Sequence, residues 1–407
     1  MNFEVLILGS DVNAYYMARC THEKYGKKAY LLASKKMAFT AYSTILNILY
    51  DSKIWEENYF LEALDRFAEM HKEKKILLIS SNETYAEFIV KNKDKINKQY
   101  VYNYPSLNIV ESLIDKEKFY KTYENSILDF PKTIFYNGEK LNKENFGLMF
   151  PVIVKPADVV SYNHLEFDGK NKIYKIDNFD DLAKILKQIT DGGYKKTIII
   201  QEYIPGDDSY LFDAVVYSNK EAKVKLMSFA QIGLQEHTKH MIGNAAVLIN
   251  GYNSYGGNVE EMSQNIKQFM ENIKYQGFAE FDLKYDSRDN KFKVLEINAR
   301  QGRSSYYLIG LGYNLVETLV NDLILDQNMD YKFLNQEVML SFVPKYVIKH
   351  YIKNKEFKKR ALKLWNKKLV IKPLFYNKER NLKRKIILYK KQLDYIRDYK
   401  TGYWENN

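Results

Sequence analysis

The sequence predicts an α/β chain in which a parallel-sheet unit leads, a strand-rich middle follows and a basic helical tail closes. Three observations carry this. Apolar runs that fit buried strands alternate with amphipathic segments at the start, strands dominate from Ser209 to Asn250, and the pattern from Tyr346 onward is helical apart from a break at Pro373. The 407 residues suffice for two or three packed units, and 46% hydrophobic with 28% charged residues marks a globular chain.

The opening EVLILGS fits a buried strand ending in a glycine turn, and Asp11–Tyr25 then reads as a helix. KKAYLLAS gives a second strand and KKILLIS, at Lys74–Ser80, a third, after the amphipathic helix Tyr59–Lys72. Strands alternating with helices imply a parallel sheet with crossovers, a Rossmann-like unit over residues 1–112. A dinucleotide fingerprint needs several glycines in the first turn. Gly9 stands alone in GSDVNA, so this unit reads as a scaffold or substrate-side domain.

Further on, ESLIDKEKFYK (Glu111–Lys121) reads as one helix and PVIVKP (Pro151–Pro156) as a strand stopped by proline. Ser161–Asp177 reads as a loop and hairpin around the Asp168-Gly169 turn. Asn178–Ile189 follows as a helix, and TIIIQEYIPGDD (Thr197–Asp208) as a strand running into a turn. Val259–Ile273 is helical, FAEFDLKYDSRDNKFKVLEINAR is a hairpin with a polar turn, and Tyr306–Leu325 closes this region as a helix. No internal repeat or low-complexity linker interrupts the chain.

Cys20 is the lone cysteine, which excludes an internal disulfide framework and a zinc-finger spacing and suits a reducing compartment. The N-terminus lacks the basic start of a signal peptide, and no run approaches the ~20 apolar residues of a membrane span. The expected location is the cytoplasm. Charge is uneven: residues 331–407 hold 21 Lys+Arg against 6 Asp+Glu, or +15, while the chain totals +11, leaving −4 for residues 1–330. The tail is either a solvated helical face or a surface for an anionic partner, be it a phosphorylated substrate, a membrane face or nucleic acid.

Chemistry concentrates in FDLKYDSRDNKFKVLEINARQGR (Phe281–Arg303). On a strand alternate residues share a face, so Glu296, Asn298 and Arg300 point one way while Leu295, Ile297 and Ala299 point the other. Asp282, on the preceding strand, reaches the same cleft. Two carboxylates and an amide oxygen are hard oxygen donors suited to Mg²⁺, and arginines on that edge fork onto a phosphoryl group or carboxylate. A surface hairpin with ordinary polar alternation reads the same way in isolation. What favours a site is the upstream recurrence of Lys155, at the end of an apolar strand, and Lys116, in the helix-opening DK pair.

In order and separation the series DK, PVIVKP, IIIQEYIPGDD and D…LEINAR resembles the ATP-grasp superfamily, over residues 112–325. That resemblance implies two subdomains clasping ATP, in a 113–330 domain whose lid subdomain spans about 150–205, with 331–407 as a C-terminal extension. By motif match, Lys116 and Lys155 are similar to the family's phosphate-contacting lysines. Gln201, Glu202 and Ile204 resemble the adenine hinge, Asp208 the ribose acid, and Asp282, Glu296 and Asn298 the Mg²⁺ ligands, with Mn²⁺ as an alternative metal. The lid segment ADVVSYNHLEFDGK carries one glycine where many members have a glycine-rich loop. KPADVVSYNHLEFDGKNKIY, QEYIPGDDS, EHTKHMIGNAAV, INARQGRSSYY and KPLFYNKERNLKRK together are similar to the D-aspartate ligases, although Glu236-His237-Thr238-Lys239 has lysine where that family has proline.

The resemblance implies a two-step ligation. A carboxylate takes the γ-phosphoryl group of ATP, and an amine then attacks the acyl phosphate beneath a lid over Ala157–Lys175. Lys155 and Arg300 neutralise charge, and Arg303 either holds the substrate carboxylate or pairs with a nearby acid. His237 and His240 read as hydrogen-bonding or exposed loop residues rather than bases. The implied partners are an amino acid, D-aspartate first, and an amine acceptor, a UDP-linked muramyl peptide with a lysine side chain. The oligomeric state is open. The alternatives are a dipeptide-forming amino-acid ligase and, in another class, an anion-binding module whose tail meets membrane or nucleic acid. The tail holds no nucleic-acid recognition motif, and the metal set is complete.

Overall fold

The computed structural model describes residues 2–236 and 243–401. His237, Thr238, Lys239 and His240 of the loop singled out in the sequence lie outside the described residues.

The first unit holds β1 (Phe3–Leu8), α1 (Val12–Tyr25), β2 (Ala29–Ala33), β3 (Leu46–Tyr50), α2 (Glu57–Met70), β4 (Lys75–Ser80), α3 (Glu83–Lys91) and β5 (Tyr100–Val101). Its five strands are parallel in the order β3-β2-β1-β4-β5. Neighbouring order reverses between β1 and β4, so the loops after these strands form a crevice, the usual ligand position of such sheets. Gly9 turns the first loop with φ +107°, and a Cβ there would stand 2.0 Å from Ser81 Oγ, so only glycine lets the two loops meet. Asp11 caps α1, and the first seven residues of that helix, Val12 to Ala18, are all buried.

Next come α4 (Leu107–Ile114) and α5 (Lys116–Tyr123), where one helix was expected. Asp115 ends α4 and caps α5, its side chain accepting from the Lys118 N–H. The break makes Lys116 the first residue of a new helix and turns it toward the cleft.

A four-stranded sheet ordered β6-β9-β7-β8 follows, built from β6 (Thr133–Tyr136), β7 (Val152–Pro156), β8 (Tyr174–Ile176) and β9 (Ile198–Glu202), with helices α6 (Val159–Asn163) and α7 (Phe179–Asp191). It starts at Thr133, earlier than the expected lid boundary near 150. The segment read as a hairpin around Asp168-Gly169 instead holds α6 and a turn, and its one strand, β8, pairs back onto β7. Ile200, Leu182, Leu186 and Ile189 give this unit a core of its own.

The third sheet is the largest. It runs β14-β13-β10-β11-β12-β16-β17, with β15 pairing β11, from β10 (Leu211–Ser218), β11 (Val224–Gln235), β12 (Ala245–Asn250), β13 (Gly277–Asp286), β14 (Lys291–Asn298), β15 (Lys332–Leu334), β16 (Val338–Ser341) and β17 (Val370–Ile371). Helix α8 (Val259–Asn272) packs on one face, where Phe212, Ala214 and Val216 point. The alternate residues Val215 and Tyr217 join α1 on the other.

Two expectations change in this region. Tyr306–Leu325 is not one helix: a 3₁₀ stretch over Ser305–Leu311 ends at Gly312, with φ +85°, and α9 (Leu315–Leu323) restarts behind an Asn314 cap. Nor is 331–407 an appendage. β16 pairs β12, and α10 (Lys345–Tyr351), α11 (Lys355–Asn366) and α12 (Leu382–Lys400) bury Val347, Phe357, Leu388 and Tyr395 in the same core as α1. No helix among the described residues is long and apolar enough to cross a membrane.

Candidate active site

A cavity of about 1060 Å³ opens between the four-stranded sheet and the β13–β14 hairpin. Lys116, Lys155, Gln201, Glu202, Ile204, Asp282, Glu296 and Asn298 all line it. Arg300, Arg303 and Asp208 do not.

Register explains the acidic wall. Asp282 pairs with Glu296 and Glu280 with Asn298 across the hairpin, so the four polar side chains stand on one face. The ladder then slips, Leu283 pairing with Val294, so that Leu295 is the extra residue of a β-bulge. The Leu295 carbonyl accepts from Tyr120 Oη at 2.7 Å, which fastens the bulge to α5. Asn298 Nδ2 lies 3.3 Å from Asp282 Oδ2. Asp282 forms no ion pair among the described residues, and burial, with Glu280 and Glu296 beside it, holds its carboxyl well above the usual range. The Glu296 side chain is 44% exposed; desolvation raises its pKa, but Lys116 Nζ at 2.6 Å, with Lys155 behind it, outweighs that and leaves it lowered.

The opposite wall is basic. Lys155, on β7, hydrogen-bonds Gln201 Oε1 at 3.0 Å, and Gln201 Nε2 bonds Thr133 Oγ1 at 2.8 Å, so β7, β9 and β6 share one polar chain. Burial first, and the charge of Lys116 second, push the Lys155 ammonium down to about 7. Lys172, Lys195, Lys196 and Lys284 add further amines to the lining, and Lys284 is pushed down to about 8 by burial. A buried amine that lacks a counter-charge is what a bound polyphosphate would restore to its charged form.

The expected hinge divides by role. Ile204 and Tyr203 face the cavity, but the Glu202 carboxylate accepts from the Lys132 N–H at 2.8 Å and pairs with Arg288 at 3.1 Å. Asp208 accepts from the Gln235 backbone N–H at 2.8 Å and its side-chain amide at 2.9 Å.

The two arginines separate as well. Arg300 reaches the crevice of the first sheet, pairing with Glu83 at 2.5 Å and Glu280 at 3.6 Å, and its Nη2 stands 3.5 Å from Asn298 Oδ1. The first unit closes on this loop: Gln301 Nε2 donates to the Ser80 carbonyl at 2.6 Å and Tyr16 Oη to the Gly302 carbonyl at 2.6 Å. A Cβ on Gly302 would meet Glu280 Oε2 at 1.2 Å, so glycine is needed for that close approach. Arg303 instead pairs with buried Glu236, lies 3.3 Å from Tyr395 Oη of α12 and stacks on Phe342 at 4.1 Å, which is the acid-pairing alternative.

Several residues here were not singled out from the sequence. Glu280 lies two positions before Asp282, so period-two reading of FAEFDLK would have found it. Ser304 bonds both Glu280 and Asp213, whose carboxyl burial drives up. Glu83 arrives from another domain, 217 residues before Arg300, and no local pattern announces it.

No group of three or more His, Cys, Asp or Glu side chains able to hold a metal occurs among the described residues. The donor set is two carboxylates and an amide, one carboxylate without a cation. It fits a divalent ion that takes its remaining ligands from water and phosphate.

No family model matches the chain. It is 33% identical over 398 residues to a D-aspartate ligase of Enterococcus faecium (strain Aus0004), covering 95% of this chain and 93% of the relative. Among solved structures it resembles N5-carboxyaminoimidazole synthetase of Staphylococcus aureus complexed with ADP, with TM-score 0.61, 17% identity and coverage of 83% and 82%. It also resembles the L-amino acid ligase of Bacillus licheniformis, with TM-score 0.54, 15% identity and coverage of 78% and 73%. The chain therefore belongs to the family of D-aspartate ligase and has the fold of the ATP-grasp ligases.

Proposed function

We propose that the cleft binds ATP with Mg²⁺ and joins D-aspartate, through a carboxyl group, to the lysine side chain of a UDP-linked muramyl peptide in cell-wall precursor synthesis. The observation that carries this is the near full-length similarity to a D-aspartate ligase. A cleft with one cation-poor acidic wall and one anion-poor basic wall supports its nucleotide half.

Lys155 and Lys116 hold the phosphates, with Ile204 and the Gln201–Glu202 backbone beside the base and Asp208 toward the ribose. Asp282, Glu296 and Asn298 hold Mg²⁺, which when bound neutralises charge on the transferring phosphoryl group. A carboxylate is a poor acceptor of amines because its leaving group would be oxide. Attack of its oxygen on the γ-phosphorus releases ADP, and the amine, having lost its proton, then displaces phosphate from the acyl carbon. Arg300, at the far end of the hairpin, faces the negative charge that develops there. Ala157, Asp158, Lys172 and Ile173 of the expected lid segment line the cleft, where closure would keep water from the acyl phosphate.

The test is phosphate release from ATP with D-aspartate, with and without a lysine-containing UDP-muramyl peptide. Release that needs both, with a product heavier by one aspartyl residue, supports the proposal. Turnover with free L-amino acids alone would replace it with dipeptide synthesis.

A further inference from the structure

Helix α12 has one anchored face and one largely exposed face. Its inner face is anchored: Leu388, Tyr395 and Tyr399 are buried, Arg384 stacks on Tyr15 at 3.8 Å, and Gln392 Nε2 donates to the Phe342 carbonyl at 2.8 Å. Its outer face carries Leu382, Ile386, Tyr389 and Leu393, which are 70%, 60%, 63% and 66% exposed. Tyr389 alone of the four has a ring contact among the described residues, with Phe375 at 5.8 Å. At 3.6 residues per turn these four fall within an arc of about 60° and run for roughly 17 Å along the helix. Lys383 and Lys390 flank the stripe on one side and Lys385 on the other, and Lys400 stands at its far end.

The spacing of the four is that of a heptad seam, so a second copy of the helix is the first occupant to weigh. The charges oppose it: positions beside the seam are Lys383, Lys385, Lys390, Gln392 and Arg397, and self-pairing would set lysine against lysine in either orientation. An acidic partner helix would suit the sign. However, the flanking cations are mainly lysines, which are depleted at protein interfaces and lack the planar fork that pairs with a fixed carboxylate. Lysines beside an apolar stripe that includes a tyrosine are what an anionic lipid surface takes. The apolar residues enter the headgroup boundary and the stems of the lysines snorkel to the phosphates. The surplus is regional too, since residues 331–407 sum to +15.

We propose that the outer face of α12 docks the enzyme on an anionic membrane leaflet, lying in the interface without crossing it. This stands on the tail's charge and apolar stripe, independently of the substrate reading.

The experiment is cosedimentation of the full-length protein with phosphatidylcholine vesicles, with and without phosphatidylglycerol. Binding should require phosphatidylglycerol and fall with added salt. Lys383→Glu/Lys385→Glu/Lys390→Glu should weaken it by on the order of 100-fold or more, and Ile386→Glu/Leu393→Glu should abolish it, with ATP-dependent turnover in solution and melting temperature unchanged in both. Equal binding to neutral vesicles, binding indifferent to both variants, or a dimer in sedimentation velocity that Ile386→Glu/Leu393→Glu dissolves would each overturn the proposal. Loss of vesicle binding with turnover intact is separate from failure of the ligase assay.

Discussion

The two walls of the cleft are unfinished in opposite senses. On the β13–β14 hairpin, Asp282 stands beside Glu280 and Glu296 without an ion pair among the described residues, and desolvation first, then those two carboxylates, hold its pKa well above the usual range. Across from it, Lys155 sits on β7 with an amide for a neighbour and an ammonium pushed down to about 7. Lys116, on α5, meets Glu296 between them at 2.6 Å. Buried charges in a fold are ordinarily paired with their opposites. Keeping them apart leaves one wall short of a cation and the other short of an anion, and a metal–polyphosphate supplies both.

The largest test removes one wall at a time. Glu296→Ala or Lys155→Ala should each lower kcat by roughly 10³-fold or more, because phosphoryl transfer asks mainly for positioned charge. Melting temperature should stay near that of the parent, since neither side chain closes a core. Near-normal phosphate release by either variant would sink the assignment of the walls.

Arg300 and Arg303 sharpen the contrast, three residues apart and both ion-paired. Arg300→Ala should lower kcat by about 10²-fold, as loss of a transition-state donor does. Arg303→Ala should act on the fold, costing about 3–5 kcal/mol by stranding buried Glu236, with a fall in melting temperature. If Arg303→Ala keeps its melting temperature but raises KM for the amino acid, Arg303 is a substrate ligand after all.

The basic wall also predicts a pH dependence. Lys155 has a folded pKa of about 7, below the usual 10.5. Between those values the free enzyme carries a neutral amine, whereas the phosphate-bound amine is charged, so nucleotide binding takes up a proton. Affinity should weaken by up to about tenfold per pH unit above 7. The unfolded chain binds that proton too, so this group's contribution to stability rises with pH across the same window. Calorimetry in buffers of different ionisation enthalpy reads the uptake, and Lys155→Met should abolish it.

How much of this could be read beforehand follows from the range of each signal. The hairpin carboxylates and Lys155 lie on strands, where alternation declares the face, and the parallel order of the first sheet follows from strand–helix alternation. Asp115 and Gly312, which split two expected helices, are single-residue events inside otherwise helical patterns. β16 is placed by pairing with β12, and α12 meets α1 through Arg384 stacked on Tyr15, more than 300 residues away in the chain; the +15 tail charge masked that burial. Glu83, similarly, meets Arg300 only through docking of the first unit.

The smallest effect concerns Glu202, whose carboxylate faces away from the cavity toward Lys132 and Arg288. Arg288 is 40% exposed and already pairs with Asp286 at 2.5 Å, so water screens the bond and a second carboxylate remains. Glu202→Gln should therefore cost under about 1 kcal/mol and leave KM for ATP within about twofold, since the hinge would meet the base through backbone groups that the substitution keeps. A tenfold rise in KM for ATP would mean that the carboxylate turns inward when nucleotide binds. The Glu202–Arg288 pair would then be a resting contact, broken on binding, and the basic wall would contain an acid of its own.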